Sequence, residues 1–271
     1  MNQAEKRIYL INKLLDEGGY KNDLPKGAEE QKYLLRALFN VREPKPVSEE
    51  FLRIQDEYLQ EELADKKITD SAILFEKGDL CVWKGDITTL KADGIVNAAN
   101  SKMLGCFAPC HGCIDNAIHT YAGVELRLEC NEIMRRQGHD EPTGRAKITK
   151  AYNLPCKYVL HTVGPIVSGK LAEEHKKQLA SCYESCLRLA DEYGLESIAF
   201  CCISTGEFHF PNRAAAEIAV QTVKKYKKET PSDIKVVFNV FKDTDEDIYR
   251  ELLGRSSPQS SLFSSPSESR L

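Results

Sequence analysis

Residues Asn97–Gly123 read NAANSKMLGCFAPCHGCIDNAIHTYAG, and they decide the architecture. A short apolar run, Gly94–Asn97, ends in the polar turn Asn97-Ala98-Ala99-Asn100. A loop dense in Cys and His follows, and Asp115 then stands where helical spacing begins. Strand, turn, loop and helix in that order form one crossover unit of an α/β sheet. A carboxylate and several metal-ligand types gathered at the strand's end outline an active site.

Working outward, strand-like and helix-like segments alternate from about residue 71 to 254. The apolar runs at 72–75, 80–83, 94–97, 147–152, 158–162, 197–203 and 234–241 read as strands. Helical periodicity covers about 114–137, 173–193, 211–228 and 244–253, with Pro211 suited to a first helical turn. The alternation predicts a three-layer α/β/α domain with a mixed central sheet and its ligand site at strand ends. Residues 1–70 carry three sets of apolar residues at helical spacing, broken at Gly18-Gly19 and at Pro44/Pro46. They are expected to form a helical extension packed on that domain. Residues 255–271 are Ser/Pro-rich and lack a core-forming pattern, which predicts a disordered tail.

Bulk composition narrows the functional class. A net charge of −4 argues against a general nucleic-acid binder, and no apolar run approaches the roughly 18 residues of a membrane span. The N-terminus has no apolar signal-peptide core. Ten cysteines in a chain of 271 residues without a secretory leader fit a reduced, cytoplasmic protein. Ser269-Arg270-Leu271 is a variant of a peroxisomal address, an alternative that applies only in a eukaryote. Cys81, Cys156, Cys201 and Cys202 lie in or beside strand-like runs, and Cys182 and Cys186 are four apart on a helix. All six are expected to serve as small hydrophobes.

Cys106, His111 and Cys113 are different. Thiolate and imidazole are preferred zinc ligands, and three of them with an open position is the catalytic pattern. Cys110 is a possible fourth donor, and Cys130 sits farther along the next helix. Pro109-Cys110-His111-Gly112-Cys113 matches half of the zinc-deaminase signature, but the upstream His-x-Glu that signature needs is missing, because His111 is the first histidine in the chain.

Trp83-Lys84-Gly85-Asp86-Ile87-Thr88 closes one strand, and Ile203-Ser204-Thr205-Gly206-Glu207-Phe208 closes another ahead of a helix. Small residues at a helix N-terminus suit a diphosphate, although an ordinary loop would read the same. Five ordered motifs together resemble the macrodomain family: Gly85-Asp86-Ile87-Thr88, Ile95–Asn100, Ile114–His119, Tyr158–Pro165, and Ile203–Gly206 with Phe208, Phe210 and Pro211. Two departures, the Cys/His cluster in place of a glycine-rich stretch and His209 where Gly is usual, resemble its zinc-containing microbial subfamily of protein-ADP-ribose hydrolases.

The resemblance implies roles. Asp86 would accept from the adenine amino group and Ile87 would line that pocket. Asn100 would hold the distal ribose, and Asp115 is the acid beside it, unless it merely caps its helix. Ser204, Thr205, Gly206, Glu207 and Phe208 would seat the diphosphate and ribose. Phe241 could meet adenine or pack in the core, while His119 and His161 read as packing or hydrogen-bonded residues. The expected activity is zinc-dependent release of mono-ADP-ribose from acidic side chains of proteins, with Zn2+ on Cys106, His111 and Cys113. A non-catalytic reader of ADP-ribosylated proteins with a structural zinc, or an O-acetyl-ADP-ribose deacetylase, are the alternatives. A lipoyl-carrier protein and a sirtuin-type ADP-ribosyltransferase are the partners the resemblance suggests.

Overall fold

The computed structural model describes residues 1–254 apart from 22 and 77; the predicted tail, with its terminal tripeptide, lies outside the described residues. Three helices come first, α1 (Gln3–Gly18), α2 (Ala28–Val41) and α3 (Glu49–Ala64). Asn2 and Glu5 form a reciprocal capping box at the start of α1, and Ser48 caps α3 through its hydroxyl. Their apolar stripes meet in a core of their own, built on Leu10, Ile11, Leu35, Phe39, Ile54 and Tyr58, with Val124 reaching in from the following domain.

Next come β1 (Thr69–Asp70), a 3-10 turn at Ser71–Phe75, β2 (Leu80–Lys84), β3 (Leu90–Lys91) and β4 (Gly94–Ala99). Then follow α4 (Ile114–Ala122), α5 (Val124–Gln137), β5 (Ala146–Lys150), β6 (Tyr158–Val163) and α6 (Glu173–Glu192). The series closes with β7 (Ser197–Phe200), α7 (Asn212–Glu229), β8 (Lys235–Val240) and α8 (Asp243–Leu252).

Six strands form the central sheet in the order β2-β8-β7-β4-β6-β5. All pairs are parallel except β5 with β6, so the sheet is mixed as predicted. Central strands are apolar on both faces: Ile95, Val96, Ile198, Ala199, Val236 and Val237 are fully buried, as a sheet covered by helices requires. Burying each large aliphatic side chain contributes about 1.5–3 kcal/mol. The cysteines expected to be packing residues are in this core, with Cys202 half-buried.

Four expectations are corrected. Residues 72–75 are a 3-10 turn rather than a strand, because Asp70 Oδ1 accepts from Ala72 N at 3.0 Å and starts a helical turn. The helical pattern at 114–137 is two helices. Gly123, at φ +95°, breaks it, and a Cβ there would stand 2.6 Å from Gln55 Nε2 of α3. Gln55 Oε1 instead accepts from Val124 N at 2.8 Å, so the extension caps α5. The strand expected at 197–203 stops at Phe200, and Cys201 and Cys202 belong to the loop behind it. Pro211 is the N-cap of α7, one position before its first turn.

Candidate functional site

The C-terminal ends of β2, β4, β6, β7 and β8 open into one cleft of about 800 Å³. Asp86 and Ile87 line one end, the 204–208 loop the middle, and Asn100, Cys106, His111, Cys113 and Asp115 the other. All the residues expected to bind or react therefore share one cavity, at the place where parallel sheets commonly bind ligands.

Asp86 is exposed, and its Oδ1 accepts from Thr88 N at 2.9 Å and Thr88 Oγ1 at 2.6 Å. One carboxylate oxygen thus caps the 3-10 turn at 87–89. The other has no hydrogen bond among the described residues. Phe241 is 79% exposed and lines the cleft, so it is a rim residue and not core packing.

The 203–211 loop is held by Thr205 N to Cys202 O, His209 N to Gly206 O and Phe210 N to Ser204 O. The amides of Gly206, Glu207 and Phe208 make no hydrogen bond among the described residues, which leaves donors for an anion. Ser204 (φ 65°) and His209 (φ 55°) both adopt left-handed backbone. That explains why glycine suits position 209, where this chain has an exposed His outside the cleft lining. Ser204 comes so close to the strand-end turn after β6 that a Cβ on Gly164 would lie 2.0 Å from Ser204 Oγ.

At the opposite end, Asp115 is buried in the first turn of α4. It does not cap that helix: Cys113 does, its Sγ accepting from Asn116 N at 3.4 Å. Asp115 Oδ1 accepts from Asn97 Nδ2 at 2.8 Å, and Oδ2 from Asn100 Nδ2 at 3.3 Å. Burial pushes its carboxyl up to about 6, against the opposing pull of the Asn97 bond, the Arg127 charge and the Asn100 bond. Asn100 also donates to Gly105 O at 3.1 Å and accepts from Lys102 N at 3.0 Å.

Asn97 makes a second bond, to His161 Nδ1 at 3.1 Å, while His161 Nε2 meets Thr149 Oγ1 at 2.9 Å. The amide nitrogen can only donate, so Nδ1 accepts and Nε2 carries the proton. His161 is thus a buried, neutral brace behind Asp115, held neutral because burial drops its pKa to about 3. His119 is buried too, with Nε2 3.6 Å from Asp115 Oδ1 and neither ring nitrogen hydrogen-bonded among the described residues. Cys130, on α5, lies beside these two histidines and not with Cys106. Asn97 itself was legible only as part of the turn motif.

The ligand-type atoms of Cys106, His111 and Cys113 lie within 4.8 Å of one another, and Cys110 is outside the group. Cys106 Sγ is 3.7 Å from His111 Nδ1, close to the roughly 3.6 Å that a tetrahedral zinc with one S and one N ligand demands. His111 Nε2 faces Glu207 Oε1 at 3.6 Å, on the orienting side that metal-bound histidines use. Desolvation pushes the Cys113 thiol up to about 12, with Cys106 and Asp115 adding to it. The thiol is therefore neutral without a metal, and a bound cation would offset the cost of its thiolate, so donor chemistry and spacing both fit a metal.

One contributor escaped the sequence. Arg36, from α2, lines the cleft and donates to His111 O and to Asn116 Oδ1.

Comparison with known proteins supplies the family. The Macro domain family matches residues 96–219. A protein-ADP-ribose hydrolase of Treponema medium is 58% identical over 260 residues, which span 93% of this chain and 100% of that protein. A macrodomain variant from Oceanobacillus iheyensis, solved with ADPR, superposes with a TM-score of 0.60 at 37% identity, over 65% of this chain and 91% of that one. The Trypanosoma brucei macrodomain in complex with ADP-ribose gives 0.63 at 29% identity, over 80% and 95%. With this fold, this cleft and a relative so similar along its whole length, the chain belongs to the macro domain family.

Proposed function

We propose that this protein is a zinc-dependent hydrolase that releases mono-ADP-ribose from acidic side chains of proteins. The observation that carries the reading is the Cys106–His111–Cys113 donor set beside a buried, hydrogen-bonded Asp115 at one end of a nucleotide-sized cleft. The relatives' names and the ADP-ribose complexes support the substrate class.

In this reading adenine lies against Ile87 and Phe241, with its amino group donating to the free oxygen of Asp86. The unpaired amides of Gly206, Glu207 and Phe208 hold the diphosphate, with Ser204 and Thr205 shaping the loop, and Phe208 flanks the distal ribose. Asn100, on the same strand end, orients that sugar. Asp115, ionised at neutral pH, takes at Oδ2, the oxygen nearer Asn100, the proton of a water that attacks the ester. The ester bond breaks to give ADP-ribose and the free side-chain carboxylate. A pKa near 6 suits a base working at neutral pH. A zinc ion on Cys106, His111 and Cys113 supplies Lewis acidity at the sugar end when bound.

The test is release of ADP-ribose from a protein mono-ADP-ribosylated on Asp or Glu, before and after chelation and after zinc is restored. Turnover that is lost and then regained is the expected outcome. Turnover indifferent to chelation removes the zinc from the reading, and binding without turnover leaves a reader of the modification.

A further inference from the structure

The loop that carries the three ligands does not hold itself. Between β4 and α4 it has no regular structure, and Met103 (φ 58°) and Cys110 (φ 52°) both sit in left-handed backbone that costs non-glycine residues energy. Its internal bonds are few, such as Met103 N to Asn100 O and His111 N to Ala108 O. Left alone, such a segment gains entropy by sampling other shapes, and a site with three ligands loses affinity accordingly.

Helix α2 supplies the missing restraint. Tyr33, Arg36 and Asn40 recur at the spacing of one helix face, and that face meets the loop. Arg36 Nη2 donates to His111 O at 3.1 Å and to Asn116 Oδ1 at 2.9 Å, with Nε adding a 3.3 Å bond. The guanidinium thereby fixes the Asn116 amide so that Nδ2 points back to Ala108 O at 3.0 Å and Cys106 O at 3.5 Å. Asn40, fully buried, accepts from Cys110 N at 2.8 Å and donates to Thr120 Oγ1 at 2.8 Å. Cys110 Sγ is turned towards Tyr33 O at 3.4 Å, away from the ligand group. Arg127 anchors the far end, donating to Phe39 O and Asn40 O of α2, to Arg42 O at its C-cap and to Leu104 O of the loop.

We infer that Arg36 and Asn40 are positioning residues for the metal-ligand loop, so that the N-terminal helical layer is a working part of the active site. This rests on the metal reading of Cys106, His111 and Cys113. Arg36 is the informative position: one planar group serves His111 O and Asn116 Oδ1 at once, which a lysine's point charge cannot reproduce.

The experiment uses the full chain as wild type, Arg36→Met and Arg36→Lys. Zinc affinity is read by chelator competition, ligand geometry by the visible spectrum of the cobalt(II) form, and loop order by amide hydrogen exchange of residues 106–113 in metal-free protein. ADP-ribose affinity by calorimetry checks the rest of the cleft in the same samples. Arg36→Met is expected to weaken zinc by about 10–100-fold, as loss of outer-shell partners does. It should also alter the cobalt spectrum, speed exchange in the loop, and lower kcat while KM and ADP-ribose affinity hold. Arg36→Lys should recover only part of each. A variant that binds zinc like wild type and exchanges no faster at 106–113 overturns the inference while the metal reading stands. A wild-type chain that binds no zinc overturns both.

Discussion

Cys113 has two separable jobs, and one pair of substitutions can divide them. Its Sγ caps α4 by accepting from Asn116 N, and it is one of the three clustered donors. Cys113→Ala removes both roles. Losing an N-cap costs about 1 kcal/mol, which is about 2–4 °C in Tm for a domain of this size. Cys113→Ser keeps a preferred capping oxygen, so the metal-free protein should melt at or above wild type, yet hydroxyl is a poor zinc ligand beside thiolate. In metal-free wild type the Cys113 thiol, pushed up to about 12 by burial, stays protonated and neutral at pH 7, so zinc binding must displace that proton to take the thiolate. At a hundredfold excess of zinc over Kd the gain is about 2.7 kcal/mol, which Cys113→Ser should forfeit. Differential scanning fluorimetry of all three proteins, with and without zinc, reads both terms, and ADP-ribose release is measured alongside. Turnover should vanish in both variants, while ADP-ribose affinity holds because the proposed adenine and diphosphate contacts lie elsewhere. Cys113→Ser with wild-type turnover, or with a wild-type zinc shift in Tm, refutes the assignment.

Three further outcomes are expected. Asp86→Ala removes a charged acceptor, worth about 1.5–3 kcal/mol or roughly 10–100-fold in KM, with kcat nearly unchanged at saturation; an unaltered KM in steady-state kinetics counts against the adenine contact. Phe241→Ala should raise KM about 2–10-fold, the worth of an aromatic contact, and shift stability by less than about 0.5 kcal/mol because the ring is exposed. A large drop in Tm with unchanged KM contradicts it. Asp115, raised by burial from 3.8 to about 6, destabilises the metal-free fold by about 3 kcal/mol above pH 6, and that penalty disappears as pH falls from 6 through 3.8. Carbon-13 NMR of the metal-free protein should titrate this carboxyl near 6; a midpoint at or below 4 shows that its hydrogen bonds outweigh burial.

The alternating strand and helix patterns were legible because they are local: periodicities of 2 and 3.6 residues are written into consecutive side chains. So were the donors of the Cys106–Cys113 loop and the Asn turn before it, since they lie within a few residues of one another. Residues 72–75 misled for an equally local reason, a capping Asp70 outside the apolar run. The division of 114–137 at Gly123 was different, because it depends on Gln55, nearly seventy residues upstream. Sequence alone thus determined the layers of this protein and the chemical types its cleft contains. Only the tertiary structure decided that α2 braces the ligand loop, that Asn97 and His161 stand behind Asp115, and that Cys130 belongs with the histidines. Those contacts join residues up to about ninety positions apart, and their partners are chosen by how buried surfaces fit, for which no short stretch of chain carries a signal.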